Sequence, residues 1–159
     1  VVTYAKPVYF VKGGPIEIFK VGSPFTIVIG DTGVSAPTKE SVADVRAMWE
    51  ADKTKWNGVF DQIGDIVKSA REKIERGDRV SLGEAMNQNH ILLQEMTVSS
   101  PELDRLVSAA RNAGALGSKL SGGGRGGNMI ALVEQGNAGE VSSALIAAGA
   151  KRTIITQVS

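Results

Sequence analysis

Apolar positions recur at two periods along this chain of 159 residues. Pro7 to Val11 and Ile16 to Phe19 are β-branched and aromatic runs on either side of Lys12-Gly13-Gly14-Pro15. Val8 to Phe19 is therefore predicted to form a hairpin. Gly22-Ser23-Pro24 breaks the chain, and the apolar run Phe25 to Ile29 predicts a central strand, ended by the turn residues Gly30-Asp31-Thr32-Gly33. The period then becomes helical. Val42, Val45 and Trp49 share one face of a helix for which Thr38 is a suitable N-cap. Trp56, Phe60, Ile63, Val67, Ala70 and Ile74 mark a longer helix that Gly77-Asp78 ends. Ser81, with Glu84 three residues on, reads as a capping box ahead of the stripe Leu82, Met86, Leu93 and Met96. Asn89 falls inside that stripe and His90 at its edge. Ser99-Ser100-Pro101-Glu102 opens another helix, with Leu103, Leu106, Val107 and Ala110 facing inward and Gly114 as its C′ residue.

A short strand around Ser118 to Leu120, a strand from Met129 to Val133, a small-residue helix from Gly139 to Ala148 and a strand from Thr153 to Val158 complete the pattern. With the helices between Thr38 and Met96 set aside as an insertion, the order from Phe25 is strand, helix, strand, strand, helix, strand. That is the split βαβ order of a ferredoxin-like α+β sandwich, with helices on one face of the sheet.

Between the last two apolar runs lies Lys119-Leu120-Ser121-Gly122-Gly123-Gly124-Arg125-Gly126-Gly127-Asn128, where five of the six residues from Gly122 to Gly127 are glycine. Backbone without Cβ lets a ligand approach the N–H groups, and successive N–H groups in a turn form a concavity for an anion. Ser121 and Asn128 add polar groups at the two ends, and Arg125 adds a planar cation suited to phosphate oxygens. A flexible surface turn is the plain alternative, but the tight apolar flanks favour an ordered, phosphate-handling loop. No Gly-Lys-Ser/Thr closes the loop, so it is not a Walker A motif. A strand follows it, not a helix, so it is not a Rossmann fingerprint either.

Composition narrows the classes. Lys+Arg 18 against Asp+Glu 17 leaves a net charge of +1, without the basic excess of a nucleic-acid binder. A hydrophobic content of 42% supplies a full core. The chain has no cysteine and one histidine, His90, which excludes disulfides, thiolate metal sites and a histidine-rich metal centre. No apolar run reaches membrane-spanning length and no cleavable leader pattern appears. A cytoplasmic setting is the simplest expectation. The chain lacks an initiator methionine and Val1-Val2-Thr3-Tyr4 already reads as mid-strand, so a fragment or a processed chain is expected.

The stretch from Lys119 to Gly127 resembles the third motif of the GHMP small-molecule kinases, Lys-Leu-Ser/Thr-Gly-Ala/Gly-Gly-x-Gly-Gly. Arg125 stands where glycine is frequent, and Asn128 where Cys, Ser or Thr is common. Further stretches look like mevalonate kinases within that superfamily: Val1 to Tyr4 with Pro7 to Phe10, Asp31-Thr32-Gly33-Val34 with Pro37-Thr38-Lys39, Met86 to Leu93, and Ser100-Pro101-Glu102-Leu103-Asp104. The resemblance implies the C-terminal part of an enzyme that transfers the γ-phosphoryl group of ATP, with Mg²⁺, to the 5-hydroxyl of mevalonate in isoprenoid precursor biosynthesis. It also implies residues 1–22 as strands of an N-terminal kinase domain and residues 23–159 as the C-terminal domain. Phosphate or nucleotide binding then falls to Lys119, Ser121, Gly122, Gly123, Gly124, Arg125 and Gly126, and substrate binding to Thr38. The nucleotide loop and catalytic Asp of the family have no counterpart here, so no catalytic base and no metal ligand is assigned and the chain alone is expected to be inactive.

Other readings stay open on the sequence. Another GHMP kinase, for phosphomevalonate or homoserine, fits the same loop, as does a stand-alone anion- or metabolite-binding module. Thr38 serves equally as a helix cap, Lys119 as a solvated charge, and His90 as a structural residue. Neither a nucleic acid nor a membrane is an expected partner, and a homodimer is left open. The hairpin of residues 1–19 would expose strand edges by itself and is expected to be displaced, disordered or paired with another chain.

Overall fold

The structure, a computed structural model, describes residues 6–35 and 38–159. The turn at Gly13 folds β1 (Val8–Phe10) onto β2 (Ile16–Ile18) as an antiparallel pair with Val8 opposite Ile18. This hairpin is a two-stranded sheet of its own, and the predicted Val1 to Tyr4 strand lies outside the described residues. The chain continues through β3 (Phe25–Asp31), α1 (Thr38–Ala51), α2 (Lys53–Arg76), α3 (Arg79–Glu95) and α4 (Pro101–Asn112). It ends with β4 (Gly117–Ser121), β5 (Asn128–Val133), a 3₁₀ turn (Gln135–Asn137), α5 (Ala138–Ala147) and β6 (Arg152–Val158).

The four later strands form one antiparallel sheet in the order β4-β5-β3-β6, with Ile27 opposite Leu132 and Ile29 opposite both Ile130 and Ile154. That is the ferredoxin-like order expected from the sequence. Strand alternation then divides the apolar residues between the two faces. Val28, Leu120, Met129, Ala131 and Val133 meet Leu103, Leu106, Val107 and Ala110 of α4 and Val141 and Leu145 of α5 in the main core. Trp56, Val59 and Met96 extend the same core from the inserted helices. Phe25 and Leu132 point the other way and are covered by Leu82 of α3, with Ile74 and Met86 beside them. The helices of the ferredoxin-like core, α4 and α5, thus lie on one face as expected, and the inserted helices add cover on the other. The insertion wraps around the sheet, because Phe25, Ile27 and Leu132 would otherwise leave an apolar face in water.

Helix starts also differ from the periodic reading. α3 begins at Arg79, capped by Asp78, whose carboxylate accepts from the Ser81 N–H at 3.0 Å. Ser81 is thus the third helical residue and not the cap. The chain leaves α2 through Gly77 at φ 73°, and the acid next to it is in place to cap at once. α2 likewise starts earlier than its aromatic stripe, capped by Asp52, which accepts from the Lys55 N–H at 2.9 Å. α1 begins at Thr38 itself, and the cap position before it lies outside the described residues. α4 starts at Pro101, in the first turn as predicted, and Ser100 is its N-cap. β3 runs through Gly30 and Asp31, which pair with Met129 and Asn128 instead of turning.

α3 lies along the free edge of β4. Asn87 Oδ1 accepts from the Ser118 N–H at 3.0 Å and His90 Nδ1 from the Leu120 N–H at 3.3 Å, so edge amides that face away from β5 are satisfied by helix side chains. The backbones of Gly83 and Gly117 touch where helix and strand meet. His90 is consequently 2% exposed, inside the protein and not at a helix edge.

Candidate functional site

β4 and β5 are closed by the Ser121–Asn128 pair, and the connection between them is the glycine-rich stretch. Its backbone is left-handed at Gly122 (φ 98°), Gly124 (φ 77°) and Gly127 (φ 73°), and Arg125 adopts φ 58°. Gly123 lies outside the left-handed range, so handedness alternates from Gly122 to Gly124. Alternating handedness turns consecutive N–H groups toward one point, the geometry of an anion nest.

The amides divide into two sets. The Arg125 N–H donates to the Val98 carbonyl and the Gly127 N–H to the Val34 carbonyl, each at 2.8 Å. The Gly127 carbonyl accepts from both the backbone N–H and the hydroxyl of Thr32 at 2.9 Å. These bonds fix the middle and the far end of the loop. Among the described residues, no backbone carbonyl or side chain accepts from the N–H of Gly122, Gly123, Gly124 or Gly126. The loop is thus rigidly held while a set of its donors is left over.

Thr38, at the start of α1, sits directly on this backbone. A Cβ added to Gly123 would lie 2.5 Å from Thr38 Oγ1 and 2.9 Å from its Cγ2. Thr38, Val34, Ser35, Ser121, Asn128 and the loop glycines line one cavity of about 250 Å³. Larger grooves of about 410 and 380 Å³ lie between helices, lined by Gln62, Asp65 and Ile91 in one case and Val42, Trp49 and Phe60 in the other. Neither gathers backbone donors, so the smaller cavity is the one with chemistry.

The predicted site residues are only partly brought together. Thr38, Ser121, Gly122, Gly123, Gly124 and Gly126 share the cavity. Arg125 does not line it. Its Nε donates to the Thr97 carbonyl at 3.2 Å and its Nη1 pairs with Asp44 Oδ2 at 2.5 Å. Lys119 is outside the lining too, although strand alternation puts it on the same sheet face as Ser121. It is half-buried with no carboxylate in ion-pair range among the described residues, and burial pushes its ammonium below the ordinary lysine value. The sequence reading missed Val34 and Ser35 as lining, Thr32 and Val34 as loop anchors, and Asp44 as the partner of Arg125. The turn residues after β3 were the available signal for the anchors. Nothing in spacing couples Asp44 to a residue in the loop.

Comparison with known proteins follows the same lines. Residues 70–151 match the family model described as GHMP kinases C terminal. Mevalonate kinase of Pyrococcus abyssi is 43% identical over 138 residues, which are 84% of this chain and 41% of that protein. The chain therefore spans about two fifths of the length of that relative. The crystal structure of L. major mevalonate kinase in complex with R-mevalonate superposes with a TM-score of 0.85 at 33% identity, over 93% of this chain and 47% of that one. Streptococcus pneumoniae phosphomevalonate kinase in complex with phosphomevalonate and AMPPNP shares the fold, with a TM-score of 0.78 at 19% identity over 91% of this chain and 43% of that one.

Proposed function

The chain belongs to the GHMP kinase family, in the C-terminal part that the family model describes, and on that footing we propose that it forms the substrate-side half of a mevalonate kinase. The reaction is transfer of the γ-phosphoryl group of ATP to the 5-hydroxyl of mevalonate, in the cytoplasm. One observation carries this reading: Thr38 abuts Gly123 in the cavity that the spare loop amides line. A hydroxyl suited to an alcohol substrate and a nest suited to phosphate oxygens thus open into one space. The relatives at 40–43% identity, all mevalonate kinases, favour this alcohol over phosphomevalonate or homoserine.

Phosphoryl transfer needs positioning and charge stabilisation more than covalent help. The N–H groups of Gly122, Gly123, Gly124 and Gly126 supply fixed donors to phosphate oxygens, and because the loop is already anchored they need no reorganisation. Lys119 adds positive potential from the strand. Thr38 holds the accepting alcohol beside them. No catalytic base is assigned to this chain, and the missing acid–base groups belong to the N-terminal domain of the whole enzyme. Mg²⁺ is expected with the nucleotide. The carboxylates bonded near the loop, Asp31 and Asp44, are each paired with an arginine, and the described residues offer no group of three or more metal-ligating side chains. The described residues therefore provide no ligand set for the ion.

The test is ATP turnover by the full-length protein with mevalonate, phosphomevalonate and homoserine in parallel. Mevalonate-dependent turnover is expected, with kcat/KM falling by about 10²-fold or more in Gly123→Ala, which forces Thr38 and the loop apart. Turnover that prefers another alcohol, or is indifferent to this variant, overturns the reading.

A further inference from the structure

We propose that Arg125 is a positioning residue that latches α1 onto the glycine loop through Asp44, and that it does not bind nucleotide phosphate. It occupies a left-handed position inside a run of glycines, where a side chain carries a conformational cost. Strain of this kind persists only where the surroundings over-determine it. Here the surroundings are specific. Arg125 and Thr97 are the two non-glycine residues with positive φ among the described residues, and they are bonded to each other through Arg125 Nε and the Thr97 carbonyl. The same residue donates its backbone N–H to the next carbonyl, that of Val98. A Cβ on Gly124 would lie 1.9 Å from that carbonyl oxygen, so the Thr97–Val98 turn is the wall behind the loop.

The guanidinium reaches from this wall to Asp44 in the second turn of α1. α1 needs the tie. Ser41 is its one buried residue, Val42 is 56% exposed, and only Val45, Met48 and Trp49 lean on the main core. Those three lie in its later turns, whereas the end that carries Thr38 is held at the loop. One arginine thus joins the loop, the α3–α4 turn and α1, and it sets the distance between Thr38 and the spare amides. Arg125 does not line the cavity of the spare amides, and its Nε and Nη1 are engaged by Thr97 and Asp44, so the guanidinium serves the tie and is not aimed at a phosphate held there.

The kinetic part of the test rests on the reading of Thr38 as the alcohol contact, and the exchange part does not. Asp44→Asn, Arg125→Gln and the double variant are prepared in the full-length protein. Amide hydrogen exchange is followed over residues 38–51, together with KM for each substrate. Both single variants are expected to speed exchange in α1 and to raise KM for the alcohol by about 5–10-fold, with KM for ATP within about 2-fold. The double variant is expected to be no worse than either single one, because both remove the same tie. Unchanged α1 exchange in both single variants overturns the latch. So does a rise in KM for ATP confined to Arg125→Gln, which is the signature of a phosphate contact. If the protein shows no kinase activity, the functional reading fails while the exchange result still decides the latch.

Discussion

Both ring nitrogens of His90 are in use: Nδ1 accepts from the Leu120 N–H at 3.3 Å and Nε2 faces Asp104 Oδ1 at 3.1 Å, where Ser99 also donates. The proton of the neutral ring therefore sits on Nε2. A second proton would have to go to Nδ1, which would remove the acceptor for a strand amide just ahead of the glycine loop. Burial is the largest influence and pushes the His90 pKa below its ordinary 6.5, and the nearby Asp104 carboxylate only partly opposes it. With the folded value below the unfolded one, the unfolded chain binds the proton first. Stability is expected to be level above the unfolded value and to fall as pH drops below about 6.5 toward the folded value. Urea midpoints measured across that range should show the slope in the parent and lose it in His90→Gln; an identical slope in both would place the titration elsewhere. The loop glycines make a second contrast at this scale. An added Cβ on Gly122 meets nothing within 4 Å, but on Gly124 it lies 1.9 Å from the Val98 carbonyl oxygen. Gly122→Ala is expected to cost about 1 kcal/mol, from its left-handed φ alone. Gly124→Ala is expected to cost about 3 kcal/mol, since the wall must also move. Thermal melts of the two variants check the order, and equal losses would mean that the wall yields freely.

Among the elements, α3 and β4 have the most particular contact, and it shows what the sequence did and did not reveal. The apolar stripe Leu82, Met86 and Leu93 made α3 legible as a helix, and Lys119-Leu120-Ser121 followed by glycines made β4 legible as the strand that feeds the loop. Their adjacency was not legible. It depends on Asn87 and His90 accepting from Ser118 and Leu120, and polar side chains at helical spacing give no direction by themselves. It depends too on Gly83 and Gly117, which periodicity treats as weak positions in a helix and a strand. A Cβ on Gly83 would lie 2.4 Å from the Leu116 carbonyl oxygen, and one on Gly117 would lie 2.0 Å from the Gly83 carbonyl oxygen. Backbone cannot rotate aside as a side chain does, so Gly83→Ala should push α3 off the edge of β4. A loss of about 3 kcal/mol in urea denaturation is expected, despite the helix propensity gained. A neutral or stabilising result would show that propensity outweighs the contact. The same limit explains the misplaced helix starts: Asp52 and Asp78 cap by geometry, before the apolar period begins.

The whole molecule is a closed sheet-and-helix domain with a hairpin laid against its outside. The hairpin meets it mainly at Arg71 of α2. That side chain pairs with Glu17 at 2.8 Å and stacks over the rings of Tyr9 at 5.0 Å and Phe19 at 5.6 Å. Phe10, Val11, Ile16 and Ile18 are all about half exposed or more, and neither strand joins the main sheet. A solvent-facing ion pair and exposed ring contacts stabilise little. Among the described residues before Phe25 none is a buried member of either core, and only the half-buried Val21 packs against one of them. We propose the boundary between residues 22 and 23, where Gly22 passes over the end of α2, its N–H bonded to the Ile74 carbonyl at 2.9 Å, and Ser23 packs on Gly77. A chain that starts at Ser23 is therefore expected to fold cooperatively, with Tm within about 4 °C of the 159-residue chain and a similar dependence on urea. It should also be more soluble, because the exposed apolar residues and free edges of the hairpin are gone. A drop in Tm well beyond that range, or loss of a single cooperative transition, would mean that the hairpin is an integral layer of the domain and that the boundary lies elsewhere.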